Sequence, residues 1–102
     1  MSFKKPKEIA LELVPRSLEG ILYEAKESLN TYPFVTSINV PEIRRIPIKS
    51  FEPTELLLQN NVPTTPHFRV IDRTEKDLIE KIAKLVESGL KQVLIIGGDP
   101  PK

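Results

Sequence analysis

Three side chains in this sequence have the chemical types for acid–base or cofactor chemistry: Glu12, His67 and Asp99. Glu12 interrupts the apolar run Ile9-Ala10-Leu11-Glu12-Leu13-Val14 and shares a strand face with Ala10 and Val14. A carboxylate near the C-terminal end of a buried strand is desolvated, which disfavours its charged form and suits a general acid. The competing reading is a solvated or ion-paired glutamate at a strand end. His67 is the single histidine, set between Pro66 and Phe68. It reads either as a packed or surface residue or as a functional imidazole at a strand end. A metal site is not expected, because one histidine without cysteines leaves only carboxylates to complete a ligand set.

Asp99 follows Val93-Leu94-Ile95-Ile96-Gly97-Gly98. Glycines after a buried strand let a ligand approach the backbone, and Asp99 would project into the crevice at the strand ends. A tight turn explains the glycines equally well. Neither GxGxxG nor GxxxxGK[ST] occurs, so the sequence carries no dinucleotide fingerprint and no P-loop. Arg44-Arg45 with Lys49 suit a phosphate or an acidic tail, or are solvated loop charges. Without interleaved aromatics, a nucleic-acid partner is not expected. Asp72-Arg73 read as loop and helix-cap residues.

The elements that must position these groups alternate regularly. Strand 9–14 stops at Pro15, and Ser17 caps a helix whose Leu18, Ile21, Leu22, Ala25 and Leu29 recur at helical spacing. Asn30 and Pro33 end it, and strand 34–40 follows, closed by Pro41. Residues 41–52 show no period. A short helix over 53–59 ends at Asn60-Asn61, and a third strand covers 64–71, its regular ladder expected to begin after Pro66. Thr74 with Asp77 resembles a capping box opening a helix with the stripe Leu78, Ile79, Ile82, Leu85 and Val86, and Gly89 supplies its stop. Val93 to Ile96 is the fourth strand.

The order β-α-β-α-β-α-β predicts an α/β fold with four parallel strands, three helices and right-handed crossovers. Two arrangements satisfy it. A flavodoxin-like module would cover both sheet faces. Half of a barrel would leave its inner face bare and both edges open, and should pair with a second copy or with a complementary half.

At 102 residues the chain is one domain at most, and shorter than a complete enzyme barrel of about 250 residues. A net charge of +1 gives no global pull toward nucleic acid or membrane. The absence of cysteine excludes disulfides, thiolate catalysis and Cys-ligated metals. The basic start Met1-Ser2-Phe3-Lys4-Lys5-Pro6-Lys7 precedes no apolar signal region, and no run reaches spanning length, so a cytoplasmic location is the default expectation.

Three segments together resemble the methylenetetrahydrofolate reductase family. Leu11-Glu12-Leu13-Val14-Pro15 is similar to its first-strand motif. Val62-Pro63-Thr64-Thr65-Pro66-His67-Phe68-Arg69-Val70-Ile71-Asp72-Arg73 looks like its third strand, and the segment from Gly89 to Pro101, with its Gly-Asp-Pro-Pro tip, looks like its fourth. The resemblance implies a (βα)8 TIM barrel in which residues 1–102 supply strands one to four, as an N-terminal fragment or an unusually short member. It also implies FAD as cofactor, NAD(P)H as donor and methylenetetrahydrofolate, or a related pterin, as substrate. Glu12 would be the general acid that helps open the folate's five-membered ring. His67 and Gly98 would contact the flavin, and Asp99 would lie beside flavin and pterin. The sequence departs from the family at Ile38-Asn39-Val40, where a threonine-tyrosine-glycine run is common, and at Gly97, where an arginine often stands. The isolated piece is expected to show little catalysis, since a half-site neither encloses a flavin nor excludes water.

Overall fold

The computed structural model describes residues 7–97. Its elements are β1 (Ala10–Glu12), α1 (Leu18–Thr31), β2 (Ser37–Val40), α2 (Phe51–Gln59), β3 (Thr64–Arg69), a 3₁₀ turn (Val70–Asp72), α3 (Glu75–Glu87) and β4 (Leu94–Ile96). The strands form a parallel sheet in the order β1-β2-β3-β4. Four parallel strands alternating with three helices is the α/β class read from the sequence. No helix among the described residues is long and apolar enough to cross a membrane.

Local chemistry sets the helix ends. Ser17 is extended and its hydroxyl accepts from the Gly20 amide at 2.9 Å, satisfying one of the orphan donors of α1. Thr74 does the same for α3, accepting from the Asp77 amide at 3.1 Å. Two helices stop by the same device. After α3, Gly89 takes a φ of 103° while its amide donates to Val86 and that of Leu90 donates to Leu85. After α2, Asn61 takes a φ of 61°, with Asn61 donating to Leu58 and Val62 to Leu57. Each is a left-handed stop that returns an apolar residue to the core.

The strands are shorter than the sequence expectation: β1 lies within 9–14, β2 within 34–40 and β4 within 93–96, and β3 stops at Arg69, where 70–72 turn into a 3₁₀ helix instead of extending the strand to 71. Two further differences involve proline. Helix α2 begins at Phe51, not Pro53. Proline is harmless there because the amides of a first turn have no intrahelical acceptor. The ladder of β3 begins at Thr64, with Pro66 inside it opposite Val40. The Ile38 amide donates to the Pro63 carbonyl, so strand alternation turns the Pro66 nitrogen away from β2 and toward β4. The β4 ladder begins one position later, at His67 opposite Leu94. The missing donor therefore costs no sheet bond.

All three helices lie on one face. Ile21 and Ala25 of α1 pack with Ile38 and Val40 of β2 and Leu57 of α2, with Ile9, Leu11 and Leu13 against them. Leu58 of α2 and Leu85 of α3 enclose Phe68, backed by Leu78, Ile82, Leu90 and Val93. The opposite face carries no element among the described residues. This is a singly wound layer, not the doubly wound flavodoxin-like arrangement. The flank beyond α3 and β4 stays apolar and exposed at Ile79, Val86 and Ile95.

Candidate functional site

With the helices on one side, strand alternation assigns the remaining side chains to the bare face: Ala10 and Glu12, Ser37 and Asn39, Thr65, His67 and Arg69, Leu94 and Ile96. The parallel register places Glu12 opposite Asn39, and Asn39 opposite Thr65. His67 lies one step further along the same face, two strands from Glu12. Strand spacing and rise put their Cα atoms about 12 Å apart. Both stand toward the C-terminal ends of their strands, where folds of this kind hold their chemistry.

The two groups have opposite surroundings. Glu12 is exposed, which corrects the expectation of a desolvated carboxylate in a buried strand. The cause is the one-sided packing: Leu11 turns into the core, and the residue next to it must then face the side no helix covers. His67 is buried at 9% exposure although no helix lies over it, and its Nε2 has no hydrogen-bond partner. Its ring lines a shallow depression of about 240 Å³ shared with Ala10, Ser37, Asn39, Thr65 and Leu94. An unpartnered buried nitrogen costs about 1–3 kcal/mol. A ligand on this face is one way to recover that cost. Gly98 and Asp99 lie outside the described residues.

The rim of the site is built by a carboxylate that the sequence reading passed over. Glu42, just after β2, is buried and accepts from the Arg69 amide at 3.0 Å. It also pairs with Arg73, whose guanidinium lies 5.0 Å from the centre of the Phe68 ring. β2 ends at Val40, and beyond it the Glu42 carboxylate takes the place of a backbone acceptor for β3. Arg73 reaches Asp77 at 3.6 Å, and Asp77 reaches Lys81 at 3.2 Å, carrying the network onto α3. Arg73 thus serves the loop, as expected from its position, but through a partner 31 residues away. The signal for Asn39 and Thr65 was in the sequence, since both fall in phase with Glu12 and His67 once the strands are placed. For Glu42 there was none, because nothing local links it to Arg73.

A larger hollow of about 500 Å³ opens at the other end of the strands, lined by Lys7, Glu8, Thr36, Asn61, Ser88 and Lys91 among others. Its size does not make it the site. It lies away from the C-terminal strand ends, and Thr36 and Thr64 commit their hydroxyls to backbone groups there. The fold and the bare face together define a class: a parallel α/β unit with its three helices on one face of the sheet and a mixed polar and apolar surface on the other. No protein-family model matches this chain, and no curated protein matches it.

Proposed function

We propose that this chain forms the first four βα units of a methylenetetrahydrofolate reductase-like (βα)8 barrel, with Glu12 and His67 on the wall of a flavin and pterin site. The observation that carries the reading is the bare face. A strand order of 1-2-3-4 with every helix outside is what a singly wound barrel requires, and its inner wall bears the two groups the resemblance singles out. The exposed apolar flank at Ile79, Val86 and Ile95 is where a fifth unit would pack.

The residues present suit one wall of such a site. The buried Nε2 of His67 lacks a partner, and Ser37, Asn39 and Thr65 add hydroxyl and amide groups beside it. The chemistry that FAD would supply at this wall is hydride relay from NAD(P)H to the folate. Glu12 holds the proton needed as the folate ring opens, on a carboxyl oxygen directed to the bare face. Asp99 enters this reading on the resemblance alone.

The test is FAD titration of the gene product that contains this segment, read by quenching of flavin fluorescence. The expected result is saturable binding that His67→Ala weakens by about 10-fold, the worth of one buried hydrogen bond. Absence of flavin binding in the unmodified protein would remove the reading.

A second reading has its own support in the exposed Leu94 and Ile95 of β4. In it the chain is a non-catalytic module that covers this edge with a second copy or a complementary chain. Sedimentation at micromolar concentration is then expected to give a dimer or larger species, and a monomer that stays soluble counts against it.

A further inference from the structure

The bare face accounts for Glu12 and His67 but leaves the cations at its rim without a role. Arg16 follows β1, and Arg44, Arg45 and Lys49 lie on the loop between β2 and α2. Strands β1 and β2 are paired in parallel, so these two loops leave the sheet side by side, from strand ends about 4.8 Å apart. Arg16, Arg44, Arg45 and Lys49 are all exposed, and no carboxylate among the described residues pairs with any of them. The one acid in the loop, Glu42, is turned inward onto Arg73 and does not neutralise its neighbours.

The loop is also held in shape. Glu42 anchors its start to β3 through the Arg69 amide, and the buried Ser50 hydroxyl ties its end to the Val40 carbonyl at 2.7 Å. Between them, the Ile46 amide closes a turn on Ile43, and Lys49 Nζ donates to the carbonyls of Ile43 and Arg44 at 3.3 and 3.5 Å. Those bonds place the ammonium beside the backbone of Arg44. Four cations on two neighbouring loops stand against a net charge of only +1 for the whole chain. Cations on an ordered loop, with no carboxylate partner among the described residues, favour an anion over water, and guanidinium groups match phosphate and carboxylate in paired hydrogen bonds.

We propose that Arg44, Arg45 and Lys49, with Arg16 beside them, form an anion subsite at the C-terminal rim of the sheet. Its ligand is the polyanionic part of a small molecule, a chain of phosphate or carboxylate groups, whose other end lies on the bare face. The inference rests on the placement of the cations and does not require that the ligand be a flavin or a folate.

The probes are tripolyphosphate and triglutamate, titrated into the ¹⁵N-labelled chain at low ionic strength. The expected result is saturable movement of amide signals between Ile43 and Ser50, with those around Asn61 and Gly89 unmoved. Arg44→Gln/Arg45→Gln is expected to weaken binding by at least about 10-fold. Lys7→Gln/Lys91→Gln, which removes the same charge at the far hollow, should change it by less than about 2-fold. Response to tripolyphosphate alone assigns a phosphate chain, and response to triglutamate alone assigns a carboxylate chain. Equal loss in the two double variants, signal movement elsewhere on the surface, or no binding of either probe overturns the proposal. Because neither probe contains a flavin or a pterin, this outcome and that of the FAD titration are independent.

Discussion

Glu12→Gln is expected to leave NAD(P)H-dependent reduction of bound flavin unchanged while slowing transfer from the reduced flavin to methylenetetrahydrofolate by about 10²–10⁴-fold, the range for loss of a positioned general acid. The asymmetry follows from the proposed division of labour. Hydride delivery to the cofactor needs no proton from this carboxyl, whereas opening the folate ring does. Glutamine keeps the size of the side chain and its hydrogen-bonding capacity, so it removes the proton and little else. Glu12 is exposed and its neighbours on the bare face are small or polar, so the variant has no reason to unfold. Stopped-flow absorbance of the flavin separates the two half-reactions. Equal slowing of both would take the proton-donor role from Glu12, and no slowing of either would remove it from the chemistry.

The second large effect concerns the rim. Glu42→Leu should destabilise the fold by about 3–5 kcal/mol, because it removes the buried partner of the Arg73 guanidinium and leaves only the exposed Asp77 carboxylate at 3.6 Å. The side chains of Arg73 and Glu42 are 9% and 2% exposed, so water screens this pair little. The Arg69 amide loses its acceptor in the same variant. Joining Glu42→Leu to Arg73→Met should restore much of the loss, since no uncompensated charge remains and methionine can still cover the Phe68 ring. Urea unfolding followed by circular dichroism measures the unmodified protein, Glu42→Leu, Arg73→Met and the double variant. If the double variant were as unstable as the sum of the singles, the two side chains would not be acting as a pair. A loss under about 1 kcal/mol in Glu42→Leu would show that the contact contributes no more than a surface ion pair does.

Both N-caps read from the sequence, Ser17 and Thr74, cap α1 and α3, and the stops at Asn61 and Gly89 adopt the left-handed geometry expected of them. Such features are local. A hydroxyl three residues before an amide, or a residue tolerant of positive φ, acts within one turn of chain and leaves a mark in the sequence. Pro66 lies inside β3 as expected, but the ladder with β2 starts before it, at Thr64, and not after it. Proline's cost in a sheet depends on which neighbour its nitrogen faces, and that is a property of two strands, not one.

Glu12 shows the same limit at the level of the site. Its apolar neighbours are those of a buried strand, yet burial on one face is compatible with exposure on the other when all helices pack to one side. Alternation placed Glu12 with Ala10 correctly. It could not say whether their shared face was covered. His67 is the converse case: a lone polar residue with no telling neighbours, buried by the strands on either side of β3.

The order of elements, the parallel direction of the strands and the ends of the helices were therefore set by the chain's local chemistry, since periodicity, capping and turn geometry act over a few residues. The face on which the helices gather, the exposure of Glu12, the orphaned nitrogen of His67 and the tie between Glu42 and Arg73 were decided only by tertiary packing. Each depends on which strands lie side by side and what covers them, and contacts between distant segments leave no periodic trace in the residues that make them.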